Sequence, residues 1–289
     1  MKTILIATDF SAASNKALLL AAEYAKAFKA RLIVYHAFRI IYTNNILVPP
    51  AVLQQNCKEE LQNKVKELQG SFDNNIDVIV DEVINIADAI LHVADEKKAA
   101  VIFLGMNKRG RAMRKLFGST ASKLSHQSEI PLIIVPEEAH VILPKRIVLA
   151  NDISKGTDMT ILNLLREVVE KFQSKLFVAR IIKTVRDVNE EKVTSSKMSY
   201  HLADLKPDLV YLWDENVNHG LEELLKENKA DMLAIISHHH NFFEKLFEGS
   251  KTDHMLSHSQ IPVLILPDRN SLVTVKAPYE TSLFDKSIN

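Results

Sequence analysis

Residues 130–136 read IPLIIVP, and residues 261–267 read IPVLILP. Each stretch follows a Gly-Ser step, Gly118-Ser119 in one case and Gly249-Ser250 in the other, and both comparisons give the same offset of 131 residues. The register therefore holds over at least nineteen positions, 118–136 against 249–267. Solenoid repeats recur every 20–50 residues or so, so an offset this long makes the repeating unit a whole domain. A chain of 289 residues holds two such units, each large enough to bury its own core. The sequence predicts one domain over 1–138 and a second over 145–268, followed by a polar tail at 269–289. The join, EEAHVILPK at 137–145, is short, which predicts domains that pack together.

Working outward from the repeated strand, the first half opens on an apolar run, Thr3 to Thr8, too short for a helix. It stops at Asp9-Phe10-Ser11, where Ser11 is placed to cap a helix over 12–29 rich in Ala and Leu at helical spacing. RLIVYHA (31–37) returns to strand character and completes a β-α-β unit. A helix at about 50–69, a strand at 76–83, a helix at 86–97, a strand at 100–104, a helix after Gly118 and a strand at 132–135 complete the half. Strands that alternate with helices in this way form a parallel sheet covered on both faces. The second half repeats the order with strands at 147–152, 176–182, 209–214 and 232–237 and helices at about 157–173 and 219–228. A polar stretch of poor periodicity, 184–202, stands where the first half has its second helix. The fold class is thus α/β, as two tandem open five-stranded parallel sheets.

Composition limits the function. Lys+Arg 36 against Asp+Glu 36 leaves no formal net charge, which argues against a general nucleic-acid or membrane-surface binder. Cys57 is alone and cannot close an internal disulfide, the opening MKTILIATDF lacks the pattern of a signal sequence, and no apolar run approaches a membrane span. A cytoplasmic location is expected.

In an open parallel sheet, ligands bind beyond the carboxyl ends of the strands where the strand order reverses. With strands two and three on one side of strand one, and four and five on the other, Asp9 and Gly105 flank that crevice. The segment from Gly105 to Thr120 reads GMNKRGRAMRKLFGST. Gly105 allows backbone to approach a ligand at the strand end, and Gly118-Ser119-Thr120 opens a helix whose free N–H groups favour an anion. A plainer reading makes Gly118 a loop hinge, Ser119 an ordinary N-cap and Asp9 the cap of the first helix. The basic run Lys108, Arg109, Arg111, Arg114 and Lys115 reads first as solvated surface. Other nucleotide and hydrolase signatures fail. Gly105 and Gly110 mimic a P-loop, but Arg111-Ala112 follow where Lys and Ser/Thr are required. The dinucleotide Gly-x-Gly-x-x-Gly, the Ser-Gly-Gly loop of pyrophosphatases and the Gly-x-Ser-x-Gly elbow are absent.

These residues carry a resemblance. TDFS at 8–11, the loop from Gly105 to Thr120 and the IPLIIVP strand resemble the ATP-binding branch of the universal stress protein family, whose loop reads Gly-x2-Gly-x9-Gly-(Ser/Thr). Gly105, Gly118, Ser119 and Thr120 match it, whereas the inner glycine is Lys108. The resemblance implies an adenine nucleotide alpha hydrolase-like sheet of order 3-2-1-4-5 and a site for ATP, with Mg2+ as its companion ion. That site would use Ala7, Thr8 and Asp9 after strand one and Ala37 at the end of strand two. Gly105, Asn107, Lys108, Gly118, Ser119 and Thr120 would hold the phosphates. Lys108 either fills the phosphate pocket or pairs with a phosphate. The resemblance also implies a stress-response sensor or regulator, pairing of the two halves as an internal pseudo-dimer, and an unidentified protein partner. Whether two chains form a homodimer stays open. A nucleotide-free scaffold working through protein contacts is the alternative. No catalytic base or metal set is visible, so an enzyme is at most a slow ATPase.

The second half keeps Asp152, Gly249 and Ser250, but Ile236 stands at the position of Gly105 and His238, His239 and His240 occupy the loop. Nucleotide binding is not expected there. His254 and His258, four apart on a predicted helix, raise a metal hypothesis that lacks a Cys or a clearly placed carboxylate, and solvated histidines are expected instead. Phe242, Phe243, Leu246 and Phe247 form an apolar stripe expected to pack in a core or between domains.

Overall fold

Short apolar strands and capped helices alternate as the periodicity predicts. In a computed structural model, residues 1–40, 49–69, 75–107, 119–151, 158–182, 198, 200–213, 217–237 and 260–268 are described. The first half comprises β1 (Thr3–Ala7), α1 (Ala12–Phe28), β2 (Arg31–Phe38), α2 (Pro50–Gln69), β3 (Ile76–Glu82), α3 (Ile86–Glu96), β4 (Val101–Met106), α4 (Ser119–Gln127) and β5 (Leu132–Pro136). The second comprises β6 (Arg146–Asn151), a 3₁₀ turn (Met159–Leu162) running into α5 (Asn163–Phe172), β7 (Lys175–Ile182), a 3₁₀ turn (Ala203–Leu205), β8 (Asp208–Trp213), α6 (Val217–Glu227), β9 (Met232–Ser237) and β10 (Val263–Pro267). The predicted tail at 269–289, the histidines at 238–240, 254 and 258, the Phe stripe at 242–247, Asp152, Gly249 and Ser250 lie outside the described residues.

The ten strands form one sheet, in the order β3-β2-β1-β4-β5-β10-β9-β6-β7-β8. Each half carries the 3-2-1-4-5 order, all parallel, and the halves meet where β5 and β10 pair antiparallel. These two strands are the repeated IPLIIVP and IPVLILP stretches. The expected five-stranded sheets thus fuse into a single mixed one. Their buried edges satisfy each other's backbone groups, which removes two open edges from the molecule.

Two apolar layers cover the faces. On one face Ile4, Ile6, Leu20, Tyr24, Val34 and Phe103 continue without a break into Leu149, Leu165, Phe172 and Leu264 of the second half. Tyr24 of α1 meets Phe172 of α5 edge-on at 4.8 Å, and Phe28 meets Phe172 at 5.5 Å. The Tyr24 hydroxyl, fully buried, donates to Met232 Sδ at 3.9 Å. The Met1 ammonium reaches Glu167 at 2.6 Å, and Lys16 Nζ donates to the Ala139 carbonyl in the join at 3.0 Å. The other face packs α3, α4 and α6 over Leu5, Ile33, Tyr35, Ile102, Val148 and Ile235.

Local devices recur between the copies. After α1, Lys29 adopts a left-handed conformation and Ala30 N donates back to Ala25 O at 2.9 Å, and after α5 Gln173 and Ser174 N to Val169 O at 2.9 Å do the same. Arg31 pairs with Asp77 between β2 and β3, and Lys175 pairs with Asp208 at 2.6 Å between β7 and β8.

Candidate nucleotide site

Strand order reverses at β1 and β4, and α1 and α4 cover opposite faces there. Both helices follow strands of a parallel sheet, so their N-termini stand at its carboxyl edge. Ala7 pairs with Leu104, which sets Thr8 and Asp9 beside Gly105, Met106 and Asn107 at that edge. Ala7 also pairs with Tyr35, so Ala37 lies two residues further along β2. Ala7 and Ala37 face the α3 and α4 side of the sheet, where two small side chains leave room above the strands. Thr120 sits in the first turn of α4, and Ser119 is its first residue. Lys108 and Gly118 lie outside the described residues, as does the basic run to Lys115.

The turn after β1 is tightly specified. Ser11 is the N-cap of α1, its hydroxyl accepting from Ser14 N at 3.2 Å. The plainer alternative, Asp9 as the cap, is therefore corrected: Asp9 Oδ1 accepts from Ser11 N at 3.1 Å and the side chain stays exposed. Partial burial raises the Asp9 carboxyl, but hydrogen bonds from Ser11, Ser14 and the local backbone outweigh it and hold it below its ordinary value. A carboxylate that stays ionised is an acceptor for ligand hydroxyl or amine groups.

Thr8 is committed elsewhere. Its hydroxyl donates to Ser14 Oγ at 3.1 Å and accepts from Phe10 N at 3.1 Å, while its amide donates to Tyr35 O at 2.9 Å. Its carbonyl accepts from His36 Nδ1 at 2.8 Å. Thr8 thus positions Asp9 and leaves its hydroxyl no further role at the edge. Phe10 lies at φ 63, a region costly for a bulky residue by about 1–3 kcal/mol. Its ring, 4.6 Å from His36, which itself lies parallel to Phe38 at 6.1 Å, holds it there. Sequence reasoning missed Phe10, Ser14 and His36. The one available signal was His36, an ionisable residue inside the otherwise buried run of the strand RLIVYHAF.

Gly105 has a specific physical cause. A Cβ on it would stand 2.2 Å from Ser14 N and 2.5 Å from the Ala13 carbonyl carbon, both backbone atoms of the first turn of α1. The missing side chain lets α1 close onto β4. In the second half Ile236 occupies the equivalent position, fully buried in the core that contains Leu162 and Leu165.

The comparisons with known proteins agree with this architecture. The model of the universal stress protein family matches residues 1–136 and 155–267. The chain belongs to the universal stress protein family. The stress response protein NhaX of Bacillus subtilis is 25% identical over 162 residues, covering 46% of this chain and 96% of that protein. A universal stress protein of Mycobacterium tuberculosis is 40% identical over 52 residues, 18% of either chain. Among solved structures, a universal stress protein from Archaeoglobus fulgidus superposes with a TM-score of 0.68 at 16% identity, covering 92% of this chain and 98% of that one. A functionally unknown protein from Pseudomonas aeruginosa gives 0.59 at 10% identity, covering 93% and 94%. Both structural matches span both halves, so the tandem arrangement belongs to the fold. Family membership supports a role in stress response. Among the described residues no helix is long and apolar enough to cross a membrane.

Proposed function

We propose that this chain is a stress-response regulator whose first half binds an adenine nucleotide, ATP with Mg2+, at the reversal between β1 and β4, and whose second half is its structural partner. The observation that carries the reading is Asp9, exposed and held ionised beside the carboxyl end of β4. In this reading the Asp9 carboxylate accepts hydroxyl groups of the nucleoside and the base lies over Ala7 and Ala37. The phosphates lie toward the N-terminus of α4, where unpaired N–H groups and the helix dipole favour an anion. Lys108 supplies a cation to them.

The second half is read as non-binding because Ile236 is buried in the core where the first half has Gly105. The reading is a binding module, with at most slow ATP hydrolysis. The protein works in the cytoplasm through a partner that reads the nucleotide state.

Calorimetric titration of Mg-ATP into the nucleotide-free chain, with Gly118→Leu and Asp9→Ala alongside, tests the reading. One saturable site weakened in both variants is the expected result. Absence of heat with the wild-type chain would instead favour a nucleotide-free scaffold.

A further inference from the structure

A second concavity lies away from the strand reversal, at the open edge of β3. It has a volume of about 450 Å³, and its lining includes Tyr35, Gln54, Asp81, Glu82, His92 and Val93. Three elements build it for identifiable reasons. Val83 N donates to Phe38 O at 2.8 Å, so odd-numbered residues here turn their backbone groups toward β2 and even-numbered ones toward the edge. Gln54 reaches over from α2 and donates to the outward Val80 carbonyl at 2.7 Å. From the other face α3 brings Ala89, His92 and Val93.

Tyr35 is the telling residue. Its side chain is fully buried, it lines the cleft, and among the described residues its hydroxyl has no hydrogen-bond partner of good geometry, the Asp81 carboxylate being its polar neighbour. A buried hydroxyl without a well-aligned partner is costly and rare, so a bound group is expected to complete its hydrogen bonding. Burial, then the charge of the neighbouring Asp81 carboxylate and a hydrogen-bonding interaction with it, raise the phenol above its ordinary value, so it stays protonated beside that carboxylate.

The charge of the lining selects the occupant. Asp81 contributes a carboxylate, and among the described residues no Lys or Arg lines the cleft. Val83, Ala89 and Val93 supply an apolar wall suited to methylene groups. The volume falls within the range of roughly 300–1,000 Å³ typical of small-molecule sites. We propose that this cleft binds a small organic cation, a protonated amine or guanidine, with Asp81 accepting its N–H groups and Tyr35 completing its hydrogen bonds. Asp81 pairs in register with Ala37, so the cleft adjoins the proposed nucleotide site, but its chemistry does not depend on nucleotide binding.

Agmatine, which carries a guanidinium at one end and an ammonium at the other, is the probe, followed by amide chemical shifts of the full chain. Saturable shifts at Asp81, Glu82 and Val83 at millimolar agmatine are expected, with affinity lowered roughly tenfold in Asp81→Asn through loss of a charge-assisted hydrogen bond, and by less in Tyr35→Phe. Both substitutions are nearly isosteric, and thermal unfolding of each variant checks that the fold is kept. No saturable shift, unchanged affinity in both folded variants, or displacement of agmatine by uncharged adenosine would each overturn the proposal.

Discussion

Ile133 and Leu264 lie directly opposite each other in the antiparallel pair that joins the halves, and they hold equivalent positions of the 131-residue repeat. On either side, Val263 faces Ile134 and Ile265 faces Leu132, pairs that exchange when the two copies are swapped. A local two-fold axis therefore passes through the Ile133–Leu264 pair. Phe28 and Phe172, each the last residue of its helix before a left-handed cap, meet 5.5 Å apart across the same axis. Such an isologous contact buries the same patch from each partner. Here one chain supplies both.

Because one apolar layer runs through both halves, the chain should unfold as a single unit. Tyr24→Ala removes a fully buried ring that touches Phe28, Phe103 and Phe172, at an expected cost of about 3–5 kcal/mol. Trp213, the single tryptophan, sits in the second half and reports on it by fluorescence during urea unfolding. The first-half substitution should lower the Trp213 midpoint as much as that of the whole-chain circular dichroism. An unmoved Trp213 midpoint would show that the halves unfold independently.

Gly105→Ala should be damaging for the addition of a single methyl group. The added methyl would press on backbone atoms of Ser14 and Ala13, which cannot turn aside as a side chain can. Overpacking of this kind costs about 1–3 kcal/mol, and separating α1 from β4 would also disturb the Asp9 turn. Ile236→Val in the second half should cost only about 0.5–1.5 kcal/mol, because it trims one methylene from a filled core. Thermal unfolding of the two variants side by side measures the contrast, and equal losses would refute it.

The sequence made some of this legible and hid the rest for physical reasons. The periodicity of α2 placed it at 50–69, where the structure has it, and Ser11 was recognisable as a cap because capping depends on residues three apart. Alternating strands and helices gave the parallel sheet, and the 3-2-1-4-5 order came from the family resemblance. Fusion of the two sheets was not readable, since a strand's own pattern shows that it is buried and not which strand lies beside it. Gly105 was read as leaving room for a ligand, whereas α1 backbone is what requires it; that neighbour was not readable, because Ser14 is ninety-one positions away and meets it only after β4 pairs with β1. The commitment of Thr8 to Ser14 and His36, and the poorly satisfied hydroxyl of Tyr35, likewise arise from packing across strands.

Hydrogen bonds at the α1 N-terminus fix the behaviour of Asp9 with pH. Its folded value lies below the unfolded one, so whatever stability its ionisation contributes is fully present above the unfolded value and is lost as pH falls through the folded value. Ser11→Ala removes both the cap and one of the groups that stabilise the carboxylate. It should cost about 1 kcal/mol of stability and move the Asp9 titration upward. Carbon-13 NMR titration of the aspartate carboxyls checks the direction; an Asp9 value unchanged in the variant would exclude the Ser11 side chain as its cause.

Two further helices end as α1 and α5 do. Lys98 follows α3 at φ 53 and Lys229 follows α6 at φ 46, again 131 residues apart, and in each case the next amide reaches back to the helix, Ala99 N to Ala94 O at 2.8 Å and Ala230 N to Leu225 O at 2.9 Å. Both lysines are exposed, and neither position needs a side chain for packing. A left-handed conformation at a residue with a Cβ costs about 1–2 kcal/mol, which glycine avoids, although glycine also widens the unfolded ensemble and returns part of that gain. Lys98→Gly and Lys229→Gly should therefore each stabilise the chain by a net amount of about 0.5–1 kcal/mol, and the two gains should add, since the sites share no partner. Urea midpoints of the two single variants and the double variant measure this. A loss of stability in either single variant would mean that the lysine side chain contributes more at the helix end than its backbone strain removes.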